Sequence, residues 1–217
     1  VKERTSMPVL SEKIFAVAHL ADQVVLWILV LLSIISIGMI LERGFALRKV
    51  SSQSSQVRNR IRMALQSNSV EDVETIAKDI ESLEGRAASY ALKHMRDSGS
   101  KGLEEIFNTF SLMEKPELER FLGFLATVGS NAPYIGLLGT VLGIMKAFND
   151  LAMASEAGQQ TVMAGISVAL VATAAGLFVA IPAVISYNYY SKKVRGIMQG
   201  LEAIKELCLA YAKKKGV

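Results

Sequence analysis

Three stretches of the chain carry no charged side chain, and their lengths set the first expectation. From Gln23 to Leu41 the sequence reads QVVLWILVLLSIISIGMIL, which is 19 residues. A helix of that length covers roughly 28 Å, close to the ~30 Å hydrocarbon core of a bilayer. From Phe121 to Met145 the tract FLGFLATVGSNAPYIGLLGTVLGIM adds 25 uncharged residues, and Ala157 to Ser191 adds 35 more, with its apolar centre at about Val162 to Tyr187. The pattern predicts an all-α integral membrane protein with three transmembrane helices. An amphipathic stretch, SEKIFAVAHLADQ, precedes the first tract and no small-residue cleavage pattern follows it, so it reads as a retained helix and not as a secretory signal. Trp27 near one end, and Tyr187, Tyr189 and Tyr190 at the end of the third tract, fit interfacial aromatic belts.

Between the first and second tracts the pattern changes. Charges balance, and apolar residues recur at helical spacing, as in Val57, Ile61, Ala64 and Leu65 or Ile106, Phe107, Phe110 and Met113. Amphipathic helices are expected there, some of them continuing into the bilayer. Asn68 and Ser69 mark a helix start, Gly85 and the run from Asp97 to Gly102 mark breaks, and Pro116 suits the first turn of the second membrane helix. The segment from Glu42 to Phe121 holds 13 Lys and Arg, the tail after Tyr190 holds seven, and Asn149 to Thr161 holds none. By the positive-inside rule the middle segment and the tail face the cytoplasm, with the N-terminus outside. Lys2, Arg4 and Lys13 oppose that assignment, and the larger counts outweigh them.

Composition sharpens the picture. Apolar residues make up 51% and charged residues 20%, against about 25% charged in an ordinary soluble domain. Disorder, collagen and disulfide scaffolds are excluded. The net charge of +4 forms no basic stripe with interleaved aromatics, so topology explains it better than nucleic acid does. Cys208 is the one cysteine and reads as helix filler; His19 and His94 stand in no metal-ligand spacing. The glycine-rich GLLGTVLG lacks the ending of a phosphate loop and lies in an apolar tract. No nucleophile motif is found, and neither enzyme chemistry nor a cofactor or metal is expected.

Inside the tracts the first span is a bulky Val, Leu and Ile cylinder, expected to pack peripherally, while the other two carry small and polar residues. Lipid gives helices no hydrophobic reason to associate, so small residues mark protein-facing sides. Gly139 and Gly143 form one such face; Gly165, Ala169 and Thr173 form another, continued by Gly176 and Ala180. Polar candidates are Thr127, Ser130, Asn131 and Thr140 in the second span, and Ser167 and Thr173 in the third. Each hydroxyl has two readings: a bond back to the carbonyl a turn earlier, or a place in a row facing a pore. Asn131 is expected buried, with its amide bonded to a neighbouring helix or facing that pore. Pro133 and Pro182 each free a carbonyl and bend their spans. No Asp, Glu, His, Lys or Arg lies in any of the three tracts, and Lys146 stands at the outer end of the second, where it can snorkel. If the chain helps to move protons, the titrating group comes from another chain.

Two stretches, ATVGSNAPYIGLLGTVLGIMKAF from Ala126 and GISVALVATAAGLFVAIPAVISYN from Gly165, resemble the MotA/TolQ/ExbB proton-channel family, closest to its ExbB and TolQ branch. Glu42 and Arg43 at the end of the first span also resemble a family feature. The resemblance implies a stator subunit of an inner-membrane motor in a Gram-negative cell, a homopentamer around a dimer of a single-span ExbD- or TolR-like protein whose transmembrane Asp carries the proton. Proton-motive force would then energise an outer-membrane process through a TonB- or TolA-like protein. By matching position, Thr140 and Thr173 correspond to the family threonines that face the partner's Asp, with Asn131, Ser130 and Ser167 as further pore-lining candidates. Pro133 and Pro182 match prolines that shape the spans. The expected division is a periplasmic amphipathic helix over residues 1–22, transmembrane helices over 23–41, 121–148 and 162–190, a cytoplasmic helical region over 42–120, a short periplasmic loop over 149–161, and a cytoplasmic C-terminal helix over 191–217.

One departure stands out. ExbB and TolQ proteins commonly carry Glu within the stretch read here as GISVAL, and this chain has Val168 there. Two alternatives therefore stay open: a non-conducting three-span scaffold that oligomerises through its glycines, or a specialised gliding, secretion or polysaccharide-linked motor paralogue. Anionic lipids beside Lys192, Lys193 and Arg195 are a further candidate contact, against a plain solvated flank.

Overall fold

A computed structural model describes residues 6–66, 72–153 and 158–216. Among them the chain is helical, with no strand: α1 Ser6–Gln66, α2 Asp72–Ile76, α3 Leu83–Ser98, α4 Leu103–Leu118, α5 Leu122–Met153 and α6 Gly158–Lys215. Three of these, α1, α5 and α6, are long and apolar enough to cross a membrane. The chain divides into two compact units. One comprises the residues up to Ile40 with Phe124–Tyr187, and the other Leu41–Gly123 with the residues from Asn188 onward.

The helix ends do not follow the charge boundaries. α1 runs for 61 residues through Glu42 and Arg43, and α6 for 58 residues through Lys192 and Lys193. A charge ends an apolar tract without ending a helix, because Arg, Lys, Gln and Leu are all good helix formers. Pro133 and Pro182 likewise lie inside continuous helices. Asn68 and Ser69, and the part of the second connection at 154–157, lie outside the described residues. So do the side chains of residues 6–22, which include His19.

In the unit built on Leu41–Gly123, α1 supplies a seam of Leu47, Ser54, Val57, Ile61 and Ala64, and α6 answers with Val194, Ile197, Leu201, Ile204 and Cys208. Spacings of three, four and seven place each set on one helix face. α3 enters through small residues, Ala87, Ala88 and Ala91, and α4 through Leu103 and Phe107. Met113 is 75% exposed, so the expected apolar stripe of α4 reaches the core only at Phe107. Cys208 is buried and free, as a filler should be.

Two punctuation expectations need correcting. Gly85 does not break a helix; it lies in the first turn of α3, capped by Ser82, whose hydroxyl accepts from the Gly85 N–H at 3.0 Å and donates to Asp79 O at 2.9 Å. The break falls just before, and a Cβ at Gly85 would stand 1.9 Å from Asp79 O, so glycine is there for close approach. Pro116 lies in the last turn of α4 and not in the first turn of α5. The α4–α5 junction is instead made by Phe121 with φ of 62°, the one non-glycine among the described residues in the left-handed region. Arg43 secures it. Its buried side chain donates from Nη1 to Glu117 O at 3.1 Å, lies 3.2 Å from the Glu42 carboxylate, and places its guanidinium 5.5 Å from the Phe121 ring centre. Arg120 stacks on the same ring at 4.6 Å.

Candidate functional site

In the other unit, α5 and α6 run antiparallel and touch through small residues. A Cβ at Gly143 would lie 2.7 Å from Ala169 Cβ, and one at Gly165 would lie 2.6 Å from Ala147 Cβ. Further along, a Cβ at Gly136 would lie 2.6 Å from Ala172 O, and one at Gly176 would lie 2.6 Å from Ala132 O. Near the other end Gly129 meets Val184. As these contacts ascend α5 they descend α6, and at each of them the backbones approach as closely as glycine permits. Gly139 faces both Ala172 and Val25 of α1. Thus the first span does pack on the seam, through Val25 and with Leu29 also buried.

At the middle of this seam sit Thr140 and Thr173. Thr140 is 8% exposed, and its hydroxyl lies 3.3 Å from Gly136 O on its own helix and 3.3 Å from Ala169 O on α6. It also hydrogen-bonds the hydroxyl of Thr173. A hydroxyl has one proton to give and two lone pairs to accept with. If Thr140 donates to a carbonyl, Thr173 must donate to Thr140, and both lone pairs of Thr173 are then open to an incoming donor. If Thr140 donates to Thr173, the Thr173 proton is free to be given elsewhere. The pair can therefore present either an acceptor or a donor by rotating two hydroxyls, with no charge on either.

The other predicted residues are not gathered there. Ser130 and Asn131 are exposed on α5 near the Gly129–Val184 contact, and Ser167 is exposed on α6 near the Gly165–Ala147 contact. Along α5 those contacts, at Gly129 and Ala147, are about 27 Å apart. Asn131 is not buried as the sequence suggested. Its amide donates to Thr127 O at 2.8 Å on its own helix, and Ser130 donates to the same carbonyl at 3.1 Å. Val168 is 58% exposed and lies off the seam. Pro133 is half-buried and Pro182 exposed. Gly139, Gly143, Gly165 and Gly176 all lie in the seam.

Gly136 and Gly129 belong to the same seam and were not singled out from the sequence. The signal was present: Gly129, Gly136 and Gly143 recur every seven residues, which is two helical turns. No cluster of three metal-ligating side chains occurs among the described residues.

Comparison with known proteins agrees in kind. The family model described as the MotA/TolQ/ExbB proton channel family matches residues 38–203. The Tol-Pal system protein TolQ of Pseudomonas aeruginosa is 36% identical over 190 residues, covering 81% of this chain and 80% of that protein. The biopolymer transport protein ExbB of Neisseria meningitidis serogroup A is 30% identical over 187 residues, covering 82% and 85%. The ExbB of Aquifex aeolicus is 46% identical over 104 residues, covering 48% of this chain and 70% of its own length.

Proposed function

Because this chain belongs to the MotA/TolQ/ExbB proton channel family, we propose that it is the channel-forming stator subunit of an inner-membrane motor of the Tol-Pal or TonB-linked kind. The observation that carries the reading is the Thr140–Thr173 pair, two neutral hydroxyls fixed at the centre of a glycine-packed helix pair. The three uncharged tracts supply no proton-carrying side chain of their own. A hydroxyl pair able to donate or accept suits a carboxyl that arrives from another chain and alternates between its protonated and ionised forms.

In this reading five copies surround a dimer of a single-span ExbD- or TolR-like protein whose intramembrane Asp carries the proton. A TonB- or TolA-like protein takes up the resulting motion. The N-terminus is periplasmic, and the polar regions at 42–120 and 191–217 are cytoplasmic, following the Lys and Arg counts. Thr173 is the hydroxyl that meets the Asp, and Thr140 holds it in position. Ser130, Asn131 and Ser167 line the water path at its two ends.

Thr173→Val tests this assignment. The variant should assemble with its partner as the parent does, yet lose proton-driven activity by about tenfold or more, the scale of one lost transition-state contact. Full activity in a normally assembled Thr173→Val complex removes the threonine from the mechanism. Gentle purification from native membranes, with mass measurement of the intact complex, tests the assembly: a five-to-two ratio with a single-span protein bearing one intramembrane Asp is the expected result.

Val168 favours a second reading. An exposed valine where the branch commonly carries Glu fits a three-span scaffold that assembles without conducting. In that case the purified complex, with its companions, shows no proton flux in liposomes, and removing the hydroxyls of Thr140 and Thr173 leaves function intact.

A further inference from the structure

Glu84 is 0% exposed, the most deeply buried carboxylate among the described residues of a unit whose core is mainly apolar. It stands in the first turn of α3, between Ser54 of α1 and Gly200 of α6. The Ser54 hydroxyl bonds its Oε1, while Oε2 is closed off from solvent and has no hydrogen-bond partner. α6 reaches the carboxyl with bare backbone: a Cβ at Gly200 would lie 2.4 Å from Oε1 and 3.2 Å from the Ser54 hydroxyl. From α1 the charge of Arg58 acts on it, and from the turn before α3 the charge of Asp79; on α6 the residue against the carboxyl is Gly200. Arg58 is exposed and spends Nη1 on Gly196 O at 3.0 Å, so water screens much of its charge. Burial raises the carboxyl above its ordinary 4.5, outweighing the opposing pull of Ser54, the Glu84 backbone N–H and Arg58, and Asp79 adds to the rise.

We propose that Glu84 is a proton-binding site outside the membrane-crossing tracts: the neutral acid joins α1, α3 and α6, and its ionisation, with the proton passing to water, frees α3. The ligand is a proton, and the site is separate from the threonine pair. The inference stands whether or not the chain conducts.

The sign of the pH dependence follows. Below about 4.5 both the packed and the opened carboxyl hold the proton, so opening costs the same at every pH. Above that value the opened carboxyl ionises while the packed one does not, and opening becomes easier with each further pH unit. Stability of α3 therefore falls as pH rises, until the packed carboxyl itself ionises.

Hydrogen exchange of the α3 amides, read by mass spectrometry on the full chain in lipid nanodiscs from about pH 5 upward, just above the ordinary carboxylate range, is the test. After correction for chemical exchange, the opening constant should rise by up to about tenfold per pH unit, one proton being released on opening. Glu84→Gln should abolish that slope. Equal slopes in the two proteins overturn the proposal. Should Glu84→Gln fail to fold, infrared spectroscopy of the purified parent chain with carboxyl-labelled glutamate decides. A protonated-carboxyl band that titrates above the ordinary carboxylate range supports the site, and the absence of any such band once ordinary carboxyls have ionised overturns it.

Discussion

Thr140 has one proton to donate and three oxygens within reach, on Gly136, Ala169 and Thr173. Thr140→Ser keeps this chemistry and should leave stability within about 0.5 kcal/mol, the ordinary range for a harmless change. Thr140→Val, nearly the same shape, should lower the stability of the assembled protein by about 1 kcal/mol, the usual net worth of one hydrogen bond. Thermal unfolding of both variants in one lipid environment compares them; equal melting temperatures would mean the hydroxyl contributes nothing. Outside the spans, burial pushes the Cys208 thiol up to about 12. At pH 8 it should react with a maleimide roughly a thousandfold more slowly than an ordinary thiol, and at the ordinary rate once the protein is unfolded. Timed mass spectrometry reads both rates. The filler role of Cys208 was legible in the sequence, but the pairing of Thr140 with Thr173 was not, since it depends on antiparallel register. Asn131 misled because amide chemistry says that a partner is needed and not which one; Thr127 O, one turn back, suffices.

At the scale of elements, the α5–α6 seam tolerates nothing larger than hydrogen at its tightest points. A Cβ at Gly136 meets a carbonyl oxygen at 2.6 Å, and one at Gly139 meets the Ala172 and Val25 side chains at 2.8 and 2.9 Å. Gly136→Ala should cost about 2 kcal/mol, within the range of overpacking, and should cost more than Gly139→Ala, where Val25 Cγ1 can rotate away and only Ala172 Cβ is fixed to its backbone. The reverse order, measured by denaturation in mixed micelles, would show that the helices separate readily. The α4–α5 junction offers a second test. Phe121 holds a backbone conformation that costs a β-carbon about 1 kcal/mol or more, and two guanidiniums cover its ring. Phe121→Gly should therefore be more stable than Phe121→Ala by about 1 kcal/mol, both having lost the ring. The breaks at Gly99 and Gly102 were legible from composition, and this one was not. It rests on a buried Arg43 from a distant helix, and a sequence ordinarily reads arginine as surface.

For the molecule as a whole, the decisive feature was the easiest to read: three tracts free of charged side chains, matched by three helices able to cross a membrane. Hydrocarbon excludes charge, so the tracts announce themselves. Helices continuing from the polar regions into the bilayer were expected; what the tracts left open was how far each one runs, 61 residues in α1 and 58 in α6, since nothing in a run of Ser, Gln, Arg and Val tells a helix to stop at the headgroups. If the functional proposal holds, the chain reconstituted alone should pass protons no faster than empty liposomes, and flux should appear only with a single-span companion bearing an intramembrane acid. A pH-sensitive dye inside the vesicles measures this, and conduction by the chain alone would require a carrier that the tracts do not contain.

The unbroken course of α1 and α6 also restricts how such a gene can change. A helix turns 100° per residue, so one codon lost between Thr173 and Ile197 would swing every later side chain of α6 by more than a quarter-turn. With no loop to absorb the error, repair would have to come from within the helix, as a π-bulge or a tightened 3₁₀ turn that itself disturbs the packing. Point substitutions can drift along these helices, but insertions and deletions should survive only at the joints, such as the turn at 77–82 or the glycine link at 99–102. Over evolutionary time, each packed stretch of these helices should therefore keep its own register.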